Sequence, residues 1–122
     1  MKAIKVSFEL NPTEKTLEYF LSTAIEQGIS YWAEGRNCER TEDGDYISID
    51  VRDQEDCESE WKTLDLSVIS KGFEVYFSQW RHHPNYQSIF DFVKSNAEHG
   101  DYDAWDADLI VQLGLFGKEV YA

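Results

Sequence analysis

The stretch DYDAWDADLIVQLGLFGKEVYA, residues 101–122, constrains the fold more than any other. Asp101, Asp103, Asp106 and Asp108 crowd its start, and the longest nearly uninterrupted apolar run of the chain follows, stopping at Gly117. An aspartate at an N-cap and another three residues on satisfy the free backbone N–H groups of a helix start and suit the positive end of its dipole. Asp103 and Asp106 have that spacing and predict a helix beginning there. Trp105, Leu109, Ile110, Leu113 and Phe116 recur at helical intervals, and Val111 and Leu115 make the helix apolar nearly all round. Such a helix must be covered on several sides, so the rest of the chain is expected to wrap it.

At 122 residues the chain is expected to form one domain, long enough to bury a core. An apolar content of 42% with 15% aromatics excludes a disordered chain. No run of about 18 apolar residues occurs, so no membrane helix is expected. The start, MKAIKVSFEL, alternates and lacks the apolar centre of a signal peptide, which predicts a cytoplasmic protein. Cys38 and Cys57 fit no metal spacing and read as reduced thiols.

The net charge of −13 is local. Residues 39–60 hold Glu39, Glu42, Asp43, Asp45, Asp50, Asp53, Glu55, Asp56, Glu58 and Glu60 against Arg40 and Arg52, a net of −8. Residues 98–108 hold Glu98, Asp101, Asp103, Asp106 and Asp108 and no base, a net of −5. The remainder, with acids such as Glu14 and Glu18, balances to zero.

Along the chain, Ile4, Val6, Phe8 and Leu10 alternate with polar residues, a half-buried strand. Asn11-Pro12-Thr13-Glu14 opens a helix with Asn11 as cap, whose stripe is Leu17, Phe20, Leu21, Ala24 and Ile25 and whose C′ residue is Gly28. The β-branched and aromatic ISYWA, 29–33, predicts a short strand. Residues 34–44 are polar and read as a connection ending in the Asp43-Gly44 turn. Ile47, Ile49 and Val51 make a one-faced strand, residues 53–59 a loop, and residues 60–64 an antiparallel return. Asp65 caps a helix carrying Leu66, Ile69, Phe73, Tyr76, Phe77 and Trp80, in which Gly72 predicts close packing. After the break at Arg81-His82-His83-Pro84, a short helix presents Tyr86, Ile89, Phe90 and Val93 and ends near Gly100. The predicted class is α+β: a small antiparallel sheet of three or four strands packed by about four helices, with the C-terminal helix central.

Catalytic signatures are absent: no GxSxG, no phosphate loop, no nucleophile–base spacing. The adjacent His82 and His83 cannot share a helical face, and DYDAWDAD lacks the glycine and glutamate of a calcium loop, so neither a metal nor another cofactor is expected. No basic patch invites duplex DNA. Two features remain. One is the acidic surface, read either as a solubilising face or as a competitor of nucleic acid for a basic groove. Its candidate partner-binding residues are Glu42, Asp43, Asp45, Asp53, Glu55, Asp56, Glu58, Glu60, Asp101 and Asp103. The other is the aromatic set Tyr31, Trp32, Trp61, Tyr76, Trp80 and Trp105, read chiefly as core and otherwise as a stacking pocket for a nucleotide.

Three stretches carry a resemblance. Ala24, Glu26, Gly28, Tyr31 and Trp32 match an Ala-x-Glu-x-Gly-x-x-Tyr-Trp motif; Leu64, Asp65 and Gly72 match a central helix start. Val111, Gln112, Leu115, Phe116, Gly117, Val120 and Tyr121 match a terminal Val-Gln-x-x-Leu-Phe-Gly-x-x-Val-Tyr. Together they resemble, over roughly residues 4–122, small uncharacterised proteins of tailed bacteriophages and related mobile elements. The terminal tyrosine is followed by Ala122 where those proteins usually have glycine, and the acidic 39–60 segment is less typical of them. The resemblance implies an accessory protein and no catalytic residue. With the charge map, it leads to the expectation of a protein that works by binding, not catalysis, in the cytoplasm of a bacterial host. Its function would be to inhibit a host defence system, as an anti-CRISPR does, by offering a nucleic-acid-like acidic surface to a partner's basic groove. Sequestration of a nucleotide by aromatic stacking is the alternative, and a second copy of the chain stays open as a partner.

Overall fold

The computed structural model describes residues 10–122, so the strand expected from Ile4 lies outside the described residues up to Glu9. Helix α1, Glu14–Thr23, runs on into a π-helical turn, Ala24–Gly28. Strands β1 (Ala33–Arg40), β2 (Tyr46–Asp53) and β3 (Lys62–Asp65) follow, then helices α2 (Leu66–Gln79), α3 (Tyr86–Lys94) and α4 (Ala104–Phe116). The class is α+β, with an antiparallel sheet of order β1-β2-β3. Within it Ile49 stands opposite Leu64, and Arg36, Asp50 and Thr63 form a row. Ile49, Val51 and Leu64 turn inward, while Glu34, Arg36, Asp50 and Arg52 form the polar outer face.

Helix α4 is covered as its sequence demands: every residue from Asp106 to Gly114 is buried. Its start is a complete capping box, with Asp103 accepting from the Asp106 amide at 2.9 Å and Asp106 accepting from the Asp103 amide at 3.0 Å. Its end is Gly117, whose φ of 74° is open to glycine at little cost. The cover is α2 on one side, the π-helical turn and α1 on another, and β3. The α2–α4 crossing depends on two glycines. A Cβ on Gly72 would overlap the Ile110 carbonyl oxygen, and one on Gly114 would overlap that of Val68. The close packing expected at Gly72 is therefore met, with Gly114 as its counterpart from the other helix.

Several local expectations are corrected. The cap of α1 is Thr13, not Asn11; its hydroxyl accepts from the Thr16 amide, placing Glu14 at the first helical position. Ile29–Trp32 form a turn, not a strand, and the strand is Ala33–Arg40, in the stretch read as a connection. Polar alternation hid it, because from Gly35 onward every β1 residue is exposed and neither face bears an apolar row. Gly28 has no left-handed turn; it is buried where a Cβ would come within 2.7 Å of the Ala104 carbonyl oxygen. Helix α3 ends at Lys94 and buries Ile89, Phe92 and Val93, with Phe92 taking the place expected of Phe90. Trp105 is not core: it is 70% exposed, and Phe116 is half-buried.

Candidate partner-binding surface

The acids of residues 39–60 occupy the two ends of the β1–β2 hairpin. Glu42, Asp43 and Asp45 lie at its exposed tip, closed by the Thr41 amide on the Asp45 carbonyl and by the Asp45 amide on the Thr41 hydroxyl. Asp53, Glu55, Asp56, Glu58 and Glu60 lie at and after the other end of β2. At about 3.4 Å per residue, the eight-residue strand holds the two groups roughly 24 Å apart. Asp101 and Asp103 belong to a third place, the approach to α4. The ten candidate residues thus form three groups, of which the tip and the 53–60 turn are separated by more than the roughly 8 Å over which exposed charges act at physiological salt. The tip gains members that the chain order did not suggest. Burial, with the nearby charges of Asp45 and Glu14, raises the Glu18 carboxyl above its ordinary value, which sets Glu18 of α1 near Asp45 of the tip.

Not all of these acids are free. Asp53 accepts from the Tyr121 hydroxyl at 3.0 Å and from the Glu55 amide at 2.8 Å, and Asp56 accepts from the Glu58 amide at 3.0 Å. The Arg52 guanidinium donates to the Cys57 carbonyl at 2.9 Å. These bonds fix the turn, so Glu55, Glu58 and Glu60 project from a set backbone. The hairpin's arginines are engaged on the outer sheet face. Arg52 pairs with Glu34 at 2.5 Å and Arg36 lies 3.9 Å from Asp50; both guanidiniums also flank Trp61, at 4.1 Å for Arg36 and 4.3 Å for Arg52. Arg40 covers Tyr46 and bonds its hydroxyl. Among the described residues no ion pair involves an acid of the tip or of the 53–60 turn.

The aromatic set does not converge. Trp32 and Tyr76 are buried, Trp61 and Trp80 half-buried, Tyr31 and Trp105 exposed. An open groove of about 680 Å³ between α1 and α2, bordered by Leu10, Pro12, Phe73 and Phe77, is lined by none of the six. A second cavity of about 100 Å³ has Trp32 alone of the set; cavities that hold drug-sized ligands are about 300 Å³ or more. Trp32 is instead a packing element, stacked on Tyr121 at 4.4 Å and 7°.

That stack belongs to a polar latch invisible in the sequence. Buried Asp108 accepts from the Tyr31 hydroxyl at 2.6 Å, the Trp32 indole at 2.8 Å and the Gln112 amide at 3.0 Å. Gln112 accepts from the backbone amides of Val120 and Tyr121 at 2.7 and 2.8 Å, and donates to the Tyr121 carbonyl at 3.1 Å. Among the described residues no cation pairs with this carboxylate, and three donors offset its lost hydration. Burial, reinforced by the bond to Asp108, pushes the Tyr31 phenol well above its ordinary value. The Tyr-Trp and Val-Gln…Val-Tyr landmarks quoted above meet here, and their residues tie the tail to the turn before β1.

Asp106 is a second buried acid, held by two bonds from the Asn85 amide, at 3.0 and 3.2 Å. Burial raises its carboxyl above the ordinary value against the lowering effect of those bonds. The fully buried Tyr76 hydroxyl meets His83 Nδ1 at 2.9 Å, which satisfies it. Among the described residues, no cluster of three His, Cys, Asp or Glu is placed to hold a metal, and no helix is long and apolar enough to cross a membrane. Comparisons with family models, curated proteins and solved structures gave no match.

Proposed function

We propose that this chain acts by binding, as a phage-type accessory protein that inhibits a host defence system by occupying a basic, nucleic-acid-binding groove. An anti-CRISPR acting on a nucleic-acid-guided nuclease is the form this would take. The supporting observation is the set of carboxylates at the two ends of one antiparallel hairpin that have no ion pair among the described residues. The hairpin's own arginines are held on the sheet by Glu34, Asp50, Trp61 and Tyr46, so its tip and turn present negative charge outward. Along a nucleic-acid strand, with one phosphate about every 3.4 Å, a separation of roughly 24 Å spans about seven phosphates. Fixed, exposed acids lower the ordering cost of association and steer a basic partner. The nucleotide-sequestering alternative has less support, because the six aromatics share no cavity.

The test is inhibition of DNA cleavage by a panel of purified nucleic-acid-guided nucleases, with the chain as competitor and salt as a variable. Inhibition of at least one nuclease that weakens with rising salt and is lost in the Glu55→Lys/Glu58→Lys/Glu60→Lys variant is expected. Inhibition that persists in that variant, or none across the panel, defeats the proposal.

A further inference from the structure

Five exposed or half-buried aromatic rings have a cation of this chain over them, among them Tyr19, Tyr46 and Trp61. Lys15 lies 5.8 Å from the Tyr19 ring, Arg40 lies 4.0 Å from Tyr46, and Arg36 and Arg52 flank Trp61. Trp105 and Tyr31 differ. Trp105, at 70%, is the most exposed large apolar side chain among the described residues, and Tyr31, at 41%, stands 6.1 Å from it at an angle of 44°. Among the described residues no lysine or arginine lies over either ring.

The Tyr31 ring is held in place, and the backbone of Trp105 is fixed by the helix. Tyr31 is fixed at its hydroxyl by Asp108 and at its carbonyl by the Gln54 amide, 2.6 Å in each case. Trp105 is the second residue of α4, two positions after the Asp103 cap. The surroundings are negative. Asp101 and Asp103 are exposed just ahead of Trp105, and Glu119 of the tail contributes to the raised Tyr31 phenol after burial and Asp108. A pair of exposed ring faces within a negative rim attracts a guanidinium or ammonium twice, through the ring quadrupole and through the carboxylates. The same rim repels phosphates and anionic lipid headgroups, which excludes nucleic acid and membrane as occupants.

We infer that Trp105 and Tyr31 are the aromatic anchor of a docking surface for an arginine- or lysine-bearing segment of a partner protein. This rests on the reading of a basic partner and narrows it: the anchor lies at the start of α4, not on the 53–60 turn, and a side chain of the partner supplies a cation such as Tyr19, Tyr46 and Trp61 take from this chain. Tryptophan, tyrosine and arginine dominate such contacts because they are large and lose little conformational freedom on binding.

The test titrates the 15N-labelled chain with a deca-arginine peptide, and with a glutamine peptide of equal length as control. The Trp105 indole resonance, assigned by its loss in Trp105→Ala, and the Tyr31 amide are expected to shift saturably with arginine and not with glutamine. Trp105→Ala should weaken the arginine peptide at least about fivefold, and Trp105→Phe less. Unchanged affinity in Trp105→Ala, with circular dichroism confirming its fold, overturns the anchor. If the Glu55/Glu58/Glu60 lysine variant alone then loses binding, the acidic-turn reading stands without the anchor. If Trp105→Ala alone loses it, the anchor stands and the acidic-turn reading falls. Absence of peptide binding overturns both.

Discussion

At the α2–α4 crossing, nine consecutive residues of α4 are buried and two glycines leave no room for a methyl group. Along the β1–β2 hairpin, residues 35–45 are all exposed, held by backbone ladder bonds and by arginines laid over Trp61 and Tyr46. Burial makes the crossing specific and unforgiving, since a close-packed interior has no slack. Exposure leaves the hairpin free to change charge at little cost in stability. Acids placed at the hairpin's ends are therefore available for binding, whereas acids of the α4 start, such as Asp106 and Asp108, are consumed by the fold.

The largest effect should come from closing the crossing. Gly72→Ala or Gly114→Ala forces α2 and α4 apart and should cost about 3 kcal/mol, read from the urea midpoint. A loss below about 1 kcal/mol would place the tight contact elsewhere. Removal of the latch comes next. Gln112→Ala deprives Asp108 of a donor and releases Val120 and Tyr121, at a cost of about 2–3 kcal/mol. Hydrogen exchange at the Val120 and Tyr121 amides should accelerate far more than at Ile110, and uniform acceleration would mean that the tail is not a separable element.

A smaller effect should depend on pH. The Asp106 carboxyl is raised above its ordinary 3.8 by burial, so the protonated form favours the folded state. That contribution is full below the ordinary value and is lost as pH rises through the raised native value. Stability should therefore fall from about pH 4 toward neutrality more steeply in the native protein than in Asp106→Asn, where the Asn85 amide keeps one of its two bonds. Parallel profiles, from melting temperatures across that range, would remove Asp106 as the cause. The smallest effect belongs to the hairpin: the Glu55/Glu58/Glu60 lysine variant should stay within about 0.5 kcal/mol of the native stability. Asp53 is left out because it holds the Tyr121 hydroxyl.

The sequence by itself determined the elements whose signals are local. The Asp103–Asp106 box, the Asp65 cap, the Gly117 stop and the apolar run of α4 need only near neighbours to act, and each stands where its spacing puts it. The same holds for β2, whose Ile47, Ile49 and Val51 alternate. Tertiary structure alone decided the rest. Strand β1 has no apolar face and exists because β2 supplies its ladder partners. Trp105 has perfect helical spacing and is still exposed, because the cover of the first turn of α4 reaches Ala104, under Gly28, and Asp106, under Asn85, but not the side that carries Trp105; periodicity says which residues share a face and not how far the cover extends. The division of the acids into three groups, and the meeting of Tyr31, Trp32, Asp108, Gln112 and Tyr121 across up to 90 residues of chain, follow from the packing of whole elements. Contacts between distant segments are set by the summed shape of everything between them, and that information is in no local stretch of residues.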